Sequence, residues 1–333
     1  EIQIAVRLGE AANGADDRHA GLAQAVHLAA EDDQFLEVDT PAPQLLGERR
    51  EQVVAALLAL LVTGCQTAFF GFVNRNSAEP DATVVYDATR NLSLDIYRPR
   101  DAGPEAPVVL FFYGGSWQMG TRAQYRFVGS RLAESGVVAI VADYRTWPAA
   151  GFPAFMGDAA RAVRWTLDHA REQGGDPQRV YIAGHSAGAQ IAALLGTDAR
   201  HLDAVERRPQ DLAGVIGLSG PYDFVISGKL EEIFGPRSQW PEAMAVRFVD
   251  GDEPPFLLVH GDQDRTVDVG NSRKLEFALR RKGIDATLLI LPGGNHFVTA
   301  AAFYDPDRAP EVLPAVLRFV GAGNAEVRET GTK

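Results

Sequence analysis

Six short runs of the sequence are apolar almost without interruption. They are "PVVLFFY" (107–113), "VVAIVADY" (137–144), "RVYIAG" (179–184), "AGVIGLS" (213–219), "PFLLVHG" (255–261) and "ATLLILPG" (286–293). A strand that alternates apolar and polar residues has one wet face; a solid run has none and must be covered on both sides. Between these runs lie stretches with helical periodicity at 121–135, 155–171, 187–196, 268–282 and 309–320. Doubly buried strands alternating with helices predict an α/β fold with a mostly parallel central sheet flanked by helices. Two further strands around a turn at Arg90 and Asn91 precede the series, in "TVVYDATRNLSLDIYRP". Residues 220–254 break the alternation and predict a small lid-like insertion after a late strand.

Much of the chemistry lies where one buried run meets Gly-His-Ser-Ala-Gly, in "VYIAGHSAGAQIAALL" (180–195). Gly-x-Ser-x-Gly alone is a weak signal. Placed straight after a buried strand and straight before a helix, it describes a sharp turn that holds Ser186 in a strained, exposed position. Gly184 and Gly188 remove Cβ atoms that would collide there. A serine hydroxyl needs a base, and the base needs an acid to orient it. Of seven histidines, His296 in "LPGGNHFVT" follows the last strand and can swing over the carboxyl edge of the sheet. His185 adjoins the serine but is badly placed to reach its hydroxyl, and His260 ends a buried strand. "LVHGDQDRTVDVG" offers Asp262, Asp264 and Asp268 as the acid. Asp264 is favoured because it lies within the loop, whereas Asp268 suits a helix cap. His260, Asp262 and Asp264 could also be read as metal ligands, but no matching fourth ligand is evident. The N–H of Ala187 can stabilise an oxyanion, helped by donors from the glycine-rich "FFYGGSWQMG" (111–120), with Trp117 as a floor.

These motifs resemble the α/β-hydrolase carboxylesterases, in the branch of hormone-sensitive lipase and the prenylcysteine methylesterases. "FFYGGSW" is similar to that family's His-Gly-Gly-Gly-Trp loop, "ADYRTWP" to its Asp-Tyr-Arg…Pro stretch, and "HGDQDRTV" and "GGNHF" to its acid and histidine loops. The resemblance implies Ser186, Asp264 and His296 as catalytic triad. It implies Gly115, Ser116 and Ala187 as oxyanion donors, and structural roles for Asp143 and Arg145. It implies cleavage of a small-molecule carboxylic ester through an acyl-enzyme, with no cofactor and no metal. Tyr113 and Ser116 depart from the family's loop, which puts the hydrogen bonding of that loop in question. Two other readings stay open: an arylformamidase or amide hydrolase of the same fold, and a binding protein on an inactive hydrolase scaffold.

The formal net charge is −12, and residues 1–64, with eleven acidic and four basic side chains, hold much of it. So acidic a chain does not suit nucleic acid as a partner. Residues 1–47 read as disordered or as a non-native extension, 48–64 as a signal segment, 65–81 as anchor and linker, 82–321 as the catalytic domain, and 322–333 as a tail. Arg49 and Arg50, ten apolar residues (53–62) and Val-Thr-Gly-Cys resemble a bacterial lipoprotein signal ending at the single cysteine, Cys65. That implies export and a lipid anchor at the periplasmic face of the outer membrane. Residues 53–73 carry no charge and could instead cross a bilayer, which takes ~20 residues; a cytoplasmic location follows if the segment is not used.

Overall fold

All seven residues of β3 (Ala106–Phe112) are buried, as are all of β4 (Val138–Ala142), β6 (Gly214–Leu218) and β7 (Phe256–Gly261). These are four of the six solid runs, fully covered as expected; the last run, at the sheet edge, departs from that, with Thr287 exposed and Leu288, Leu289 and Ile290 only half-buried. The computed structural model describes residues 68–100 and 105–322. With β1 (Ala82–Asp87), β2 (Leu92–Tyr97), β5 (Gly175–His185) and β8 (Ala286–Leu291), they form one eight-stranded sheet in the order β1-β2-β4-β3-β5-β6-β7-β8. Only β2 pairs antiparallel to its neighbours; from β4 to β8 every pairing is parallel. The edge strand β1 alternates in burial. Its hairpin turns on Asp87, whose Oδ1 accepts from the N–H groups of Thr89 and Arg90, and on Asn91 with φ 52°.

Five helices carry the flanking layers: α1 (Arg126–Glu134), α2 (Ala154–His169), α3 (Ala187–Thr197), α4 (Gly270–Arg281) and α5 (Val312–Phe319). Every residue of α3 is buried, which is why its sequence is apolar or small apart from Gln190, whose amide is hydrogen-bonded. β5 begins earlier than the apolar run suggests. Gly175 pairs with Ala106 ahead of a register shift, so polar residues 176–179 lie within the strand.

Asp158 on α2 has no exposure and gathers three arginines. Arg145 meets it through two bonds (2.7 and 2.8 Å), Arg161 through a short contact, and Arg90 at 3.7 Å. Asp143 binds Arg122, which also reaches Asp95 at 2.9 Å. Asp143 and Arg145 of the "DYR" stretch are therefore structural anchors. Asp158 itself is fully buried, so removing Arg145 would leave part of its charge uncompensated.

The insertion after β6 is packed down rather than free. It holds a short helix (Lys229–Phe234) and two 3₁₀ turns (Arg237–Ala243 and Ala245–Phe248). Asn271 on α4 accepts from the N–H groups of Tyr222 and Asp223, and the N–H of Phe152 donates to the carbonyl of Ile233. Residues 74–81, part of the segment 65–81 read as anchor and linker, are hydrogen-bonded to the domain. Asn74 donates to the carbonyls of Ala123 and Gln124 and accepts from the N–H of Phe127, while Ser130 accepts from the N–H of Ala78. Polar side chains here serve backbone groups at the start of α1, which composition alone does not distinguish from solvation. The segments expected as extension, signal and lipidated cysteine lie outside the described residues, as does nearly all of the tail. Among the described residues, no helix is long and apolar enough to cross a membrane.

The turn between β5 and α3 tolerates no extra atom. A Cβ on Gly188 would lie 2.1 Å from the carbonyl oxygen of Phe112 on β3, whereas one on Gly71 would meet nothing within 4 Å. Gly188→Ala should therefore lower stability by about 1–3 kcal/mol or more, and Gly71→Ala should leave it unchanged or slightly raised. Urea-unfolding midpoints of the two variants check this. Equal midpoints would contradict the tight packing of the turn.

Candidate active site

Ser186 stands between the last residue of β5 and the first of α3, with φ 54° and ψ −119°. A non-glycine residue in that region is strained and holds only where its surroundings over-determine it. Here Ser186 N–H donates to the carbonyl of Leu218 on β6, and its own carbonyl accepts from Ala189 and Gln190. The two glycines act on different neighbours. A Cβ on Gly184 would lie 2.2 Å from the carbonyl of Gly188, across the turn, whereas the one on Gly188 would strike β3.

The structure brings Ser186, His296 and Asp264 into one chain of contacts. Ser186 Oγ lies 2.9 Å from His296 Nε2, and His296 Nδ1 lies 2.7 Å from Asp264 Oδ2. A carboxylate oxygen only accepts, so Nδ1 carries the proton and Nε2 is free to take one from the hydroxyl. The other two aspartates are engaged elsewhere. Asp262 accepts from the N–H of Gly293, fastening the acid loop to the histidine loop. Asp268 accepts from the N–H of Gly270, but it precedes α4 by one residue more than a cap does: Val269 is the N-cap. Among the described residues, no group of three or more His, Cys, Asp or Glu side chains is arranged to hold a metal ion.

The expected donors lie at the same edge. Ala187 opens α3, where N–H groups and the positive end of the helix dipole face outward. Gly115, Ser116 and Trp117 take φ of 137°, 53° and 58°, so the loop after β3 is coiled tightly in the left-handed region. Within the turn and loop network of the described residues, the N–H groups of Gly115, Ser116 and Ala187 donate to no carbonyl. The departure at Tyr113 is compensated. Its ring stacks on Tyr144 at 4.6 Å, its hydroxyl donates to the Tyr144 carbonyl, and the Tyr144 hydroxyl donates back to the Tyr113 carbonyl. Trp117 is buried, stacked on Phe224 (5.5 Å) and edge-on to Phe234 (4.9 Å). Its indole N–H donates to Gln190, whose amide donates in turn to the carbonyl of Ala243 in the insertion.

Two histidines set aside on sequence grounds support this chain. His185 points away from the hydroxyl. Its Nε2 donates to the His296 carbonyl (3.1 Å), and its Nδ1 accepts from Tyr125 Oη (3.1 Å). His260 has no exposure and lies 3.2 Å from the same Asp264 Oδ2 that receives His296. Burial would push the Asp264 carboxyl up, but hydrogen bonds from His260, His296 and the Val267 N–H outweigh it. They hold the carboxyl well below the usual carboxylate range. Neither histidine bears a motif of its own; the signal was their nearness in sequence to the serine and to the acid.

Burial, and then the nearby His296, push the His185 imidazole down to about 3. The unfolded chain therefore binds a proton near ~6.5 that the folded chain refuses. The stability this group supplies is complete above pH ~6.5 and is lost as pH falls towards 3. One such proton steepens the loss by about 1.4 kcal/mol per pH unit. Unfolding midpoints at several pH values between neutral and acid should fall less steeply for His185→Gln than for wild type. Parallel slopes would contradict this assignment.

Residues 94–279 match the BD-FAE family. The chain is 30% identical to a probable isoprenylcysteine alpha-carbonyl methylesterase of Oryza sativa subsp. japonica, over 85% of this chain and 74% of that one. It is 30% identical to esterase LipQ of Mycobacterium tuberculosis over 68% of this chain, and spans only 58% of that longer protein. The fold superposes on a propionate-bound esterase of Thermogutta terrifontis with a TM-score of 0.61 and 27% identity, covering 72% of this chain and 94% of that one. With the sheet order and the serine turn, these likenesses agree on one family: the chain belongs to the BD-FAE α/β-hydrolases and is a carboxylesterase.

Proposed function

We propose that this chain hydrolyses small carboxylic esters with short acyl groups through an acyl-enzyme on Ser186. The observation that carries the reading is the unbroken relay from Ser186 Oγ to His296 to Asp264, at 2.9 and 2.7 Å. His296 Nε2 takes the serine proton as Oγ attacks the ester carbonyl. The oxyanion settles on N–H groups of Gly115, Ser116 and Ala187. His296 then hands its proton to the departing alkoxide. A water molecule repeats the cycle in reverse roles, losing its proton to His296 and releasing the acid. The intact relay favours an active enzyme over a binding protein on the same scaffold. The esterases among the relatives favour an ester over an amide. A short acyl group suits the rings of Trp117, Phe224 and Phe234, which fill space beside the oxyanion loop, and the Thermogutta esterase was captured with propionate.

Ser186→Ala should lower turnover of p-nitrophenyl butyrate by about 10⁵–10⁶-fold while the protein stays folded. Paraoxon should phosphorylate the wild-type protein once, at Ser186. Asp264→Asn should cost about 10⁴-fold, far more than Asp262→Asn or Asp268→Asn. Activity of Ser186→Ala near wild type would sink the reading; a peak of kcat/KM at long acyl chains would remove only its acyl-length part.

We propose further that the chain is exported and anchored through lipid on Cys65, as the arginine pair, apolar run and Val-Thr-Gly-Cys suggest. Two or more acyl chains anchor stably, at about 0.8 kcal/mol per buried methylene. In a Gram-negative host the mature protein should enter the detergent phase at a mass lacking residues 1–64, and Cys65→Ser should lose the lipid mass. Unchanged mass and membrane binding in Cys65→Ser would favour a membrane helix across residues 53–73.

A further inference from the structure

The alternation of β7 places Phe256, Leu258 and His260 on one face of the strand, and all three are fully buried. A leucine would be the cheaper occupant of the third position, since a buried imidazole must find partners for both nitrogens. His260 finds them. Nε2 lies 3.0 Å from the carbonyl of Val267 and 3.2 Å from Asp264 Oδ2; both only accept, so Nε2 carries the proton and divides it between them. Nδ1 lies 2.7 Å from the hydroxyl of Ser272 on α4. The tautomer is thereby fixed from both ends.

The significance lies in which oxygen is touched. Asp264 Oδ1 is filled by the N–H groups of Thr266 and Val267, both at 2.8 Å. Oδ2 is filled by His296 and His260 together. Four donors occupy about four lone-pair sites, so the carboxylate can neither rotate nor slide. The histidine loop is pressed against the same strand end. A Cβ on Gly261, beside His260, would lie 2.2 Å from the carbonyl of Gly294 and 3.0 Å from that of Asn295.

We propose that His260 is a positioning residue of the relay: its Nε2–H fixes the oxygen of Asp264 that receives the Nδ1–H of His296, and so sets the direction and strength of that bond. This role rests on the triad reading above. Removing the second donor leaves Oδ2 with more charge for His296 alone, so the imidazolium is held more tightly. At the same time the carboxylate gains freedom to swing. Turnover should fall while substrate binding, made elsewhere, stays as it was.

The test uses the whole protein with p-nitrophenyl butyrate across pH. His260→Phe, which keeps a ring but no donor, should lower kcat by about 10- to 100-fold with KM nearly unchanged. Its acidic limb of kcat/KM should move to higher pH by roughly half a unit. His260→Gln, which keeps an N–H donor, should recover most of kcat and return the limb towards wild type. A merely structural role would lower the folded fraction in both variants and move neither limb. If His260→Phe does not fold, Ser272→Ala loosens the same imidazole and should shift the limb the same way by less; an unmoved limb there overturns the role. Ser186→Ala run alongside separates the two readings. Turnover near wild type in it overturns the triad and His260's role with it, whereas a Ser186→Ala that has lost the expected turnover, with an unshifted His260→Phe, overturns the role of His260 alone.

Discussion

The serine side of this site depends on how closely the turn after β5 lies against β3. With Gly188 seated on the carbonyl of Phe112 and Gly184 on that of Gly188, the backbone has no room to relax. Ser186 keeps its positive φ because the alternatives are blocked, not because the conformation is favourable. The same contact sets the start of α3, and with it the N–H of Ala187. It also fixes the spacing between the serine turn and the loop of Gly115 and Ser116, which leaves β3 one strand away. Hydroxyl, helix end and the loop of Gly115 and Ser116 are thus placed by one close backbone contact, between Gly188 at the start of α3 and Phe112 of β3.

The acid side is held by hydrogen bonding instead. Asp264 sits in a loop, where backbone is ordinarily free to move, yet its carboxylate is enclosed by two N–H groups and two imidazoles. Asp262 and Gln263 tie that loop to Gly293 and Gly294 of the histidine loop. Rigidity at this end comes from satisfied polar groups in a dry setting, where each bond is stronger than in water and each loss is costly.

Much of this was legible in the sequence because it is local. Solid apolar runs read as strands covered on both faces, which holds for β3, β4, β6 and β7 but not for β8, whose place at the sheet edge no periodicity announces; a Gly-x-Ser-x-Gly between such a run and a helix can hardly be anything but a tight turn. What escaped notice depends on side chains that meet across the fold. The burial of His260 and the inward turn of His185 follow from tertiary packing that periodicity does not encode. Asn74 looked like part of a polar link for the same reason: a solvated asparagine and one that caps the approach to α1 have the same composition. Tyr113 appeared to endanger the donor loop, since nothing in the chain nearby announces its reciprocal pairing with Tyr144, thirty-one residues on.

One amide joins parts of the molecule that might otherwise have varied separately. Gln190, buried on the second turn of α3, holds the indole of Trp117 with its oxygen and the carbonyl of Ala243 with its nitrogen. Trp117 follows directly on Ser116, and Ala243 belongs to the insertion that walls the aromatic side of the site. A change in the insertion that moved Ala243 would be transmitted to the loop of Gly115 and Ser116. Through this one side chain the backbone of the insertion and the loop that carries Gly115 and Ser116 keep a fixed distance from each other.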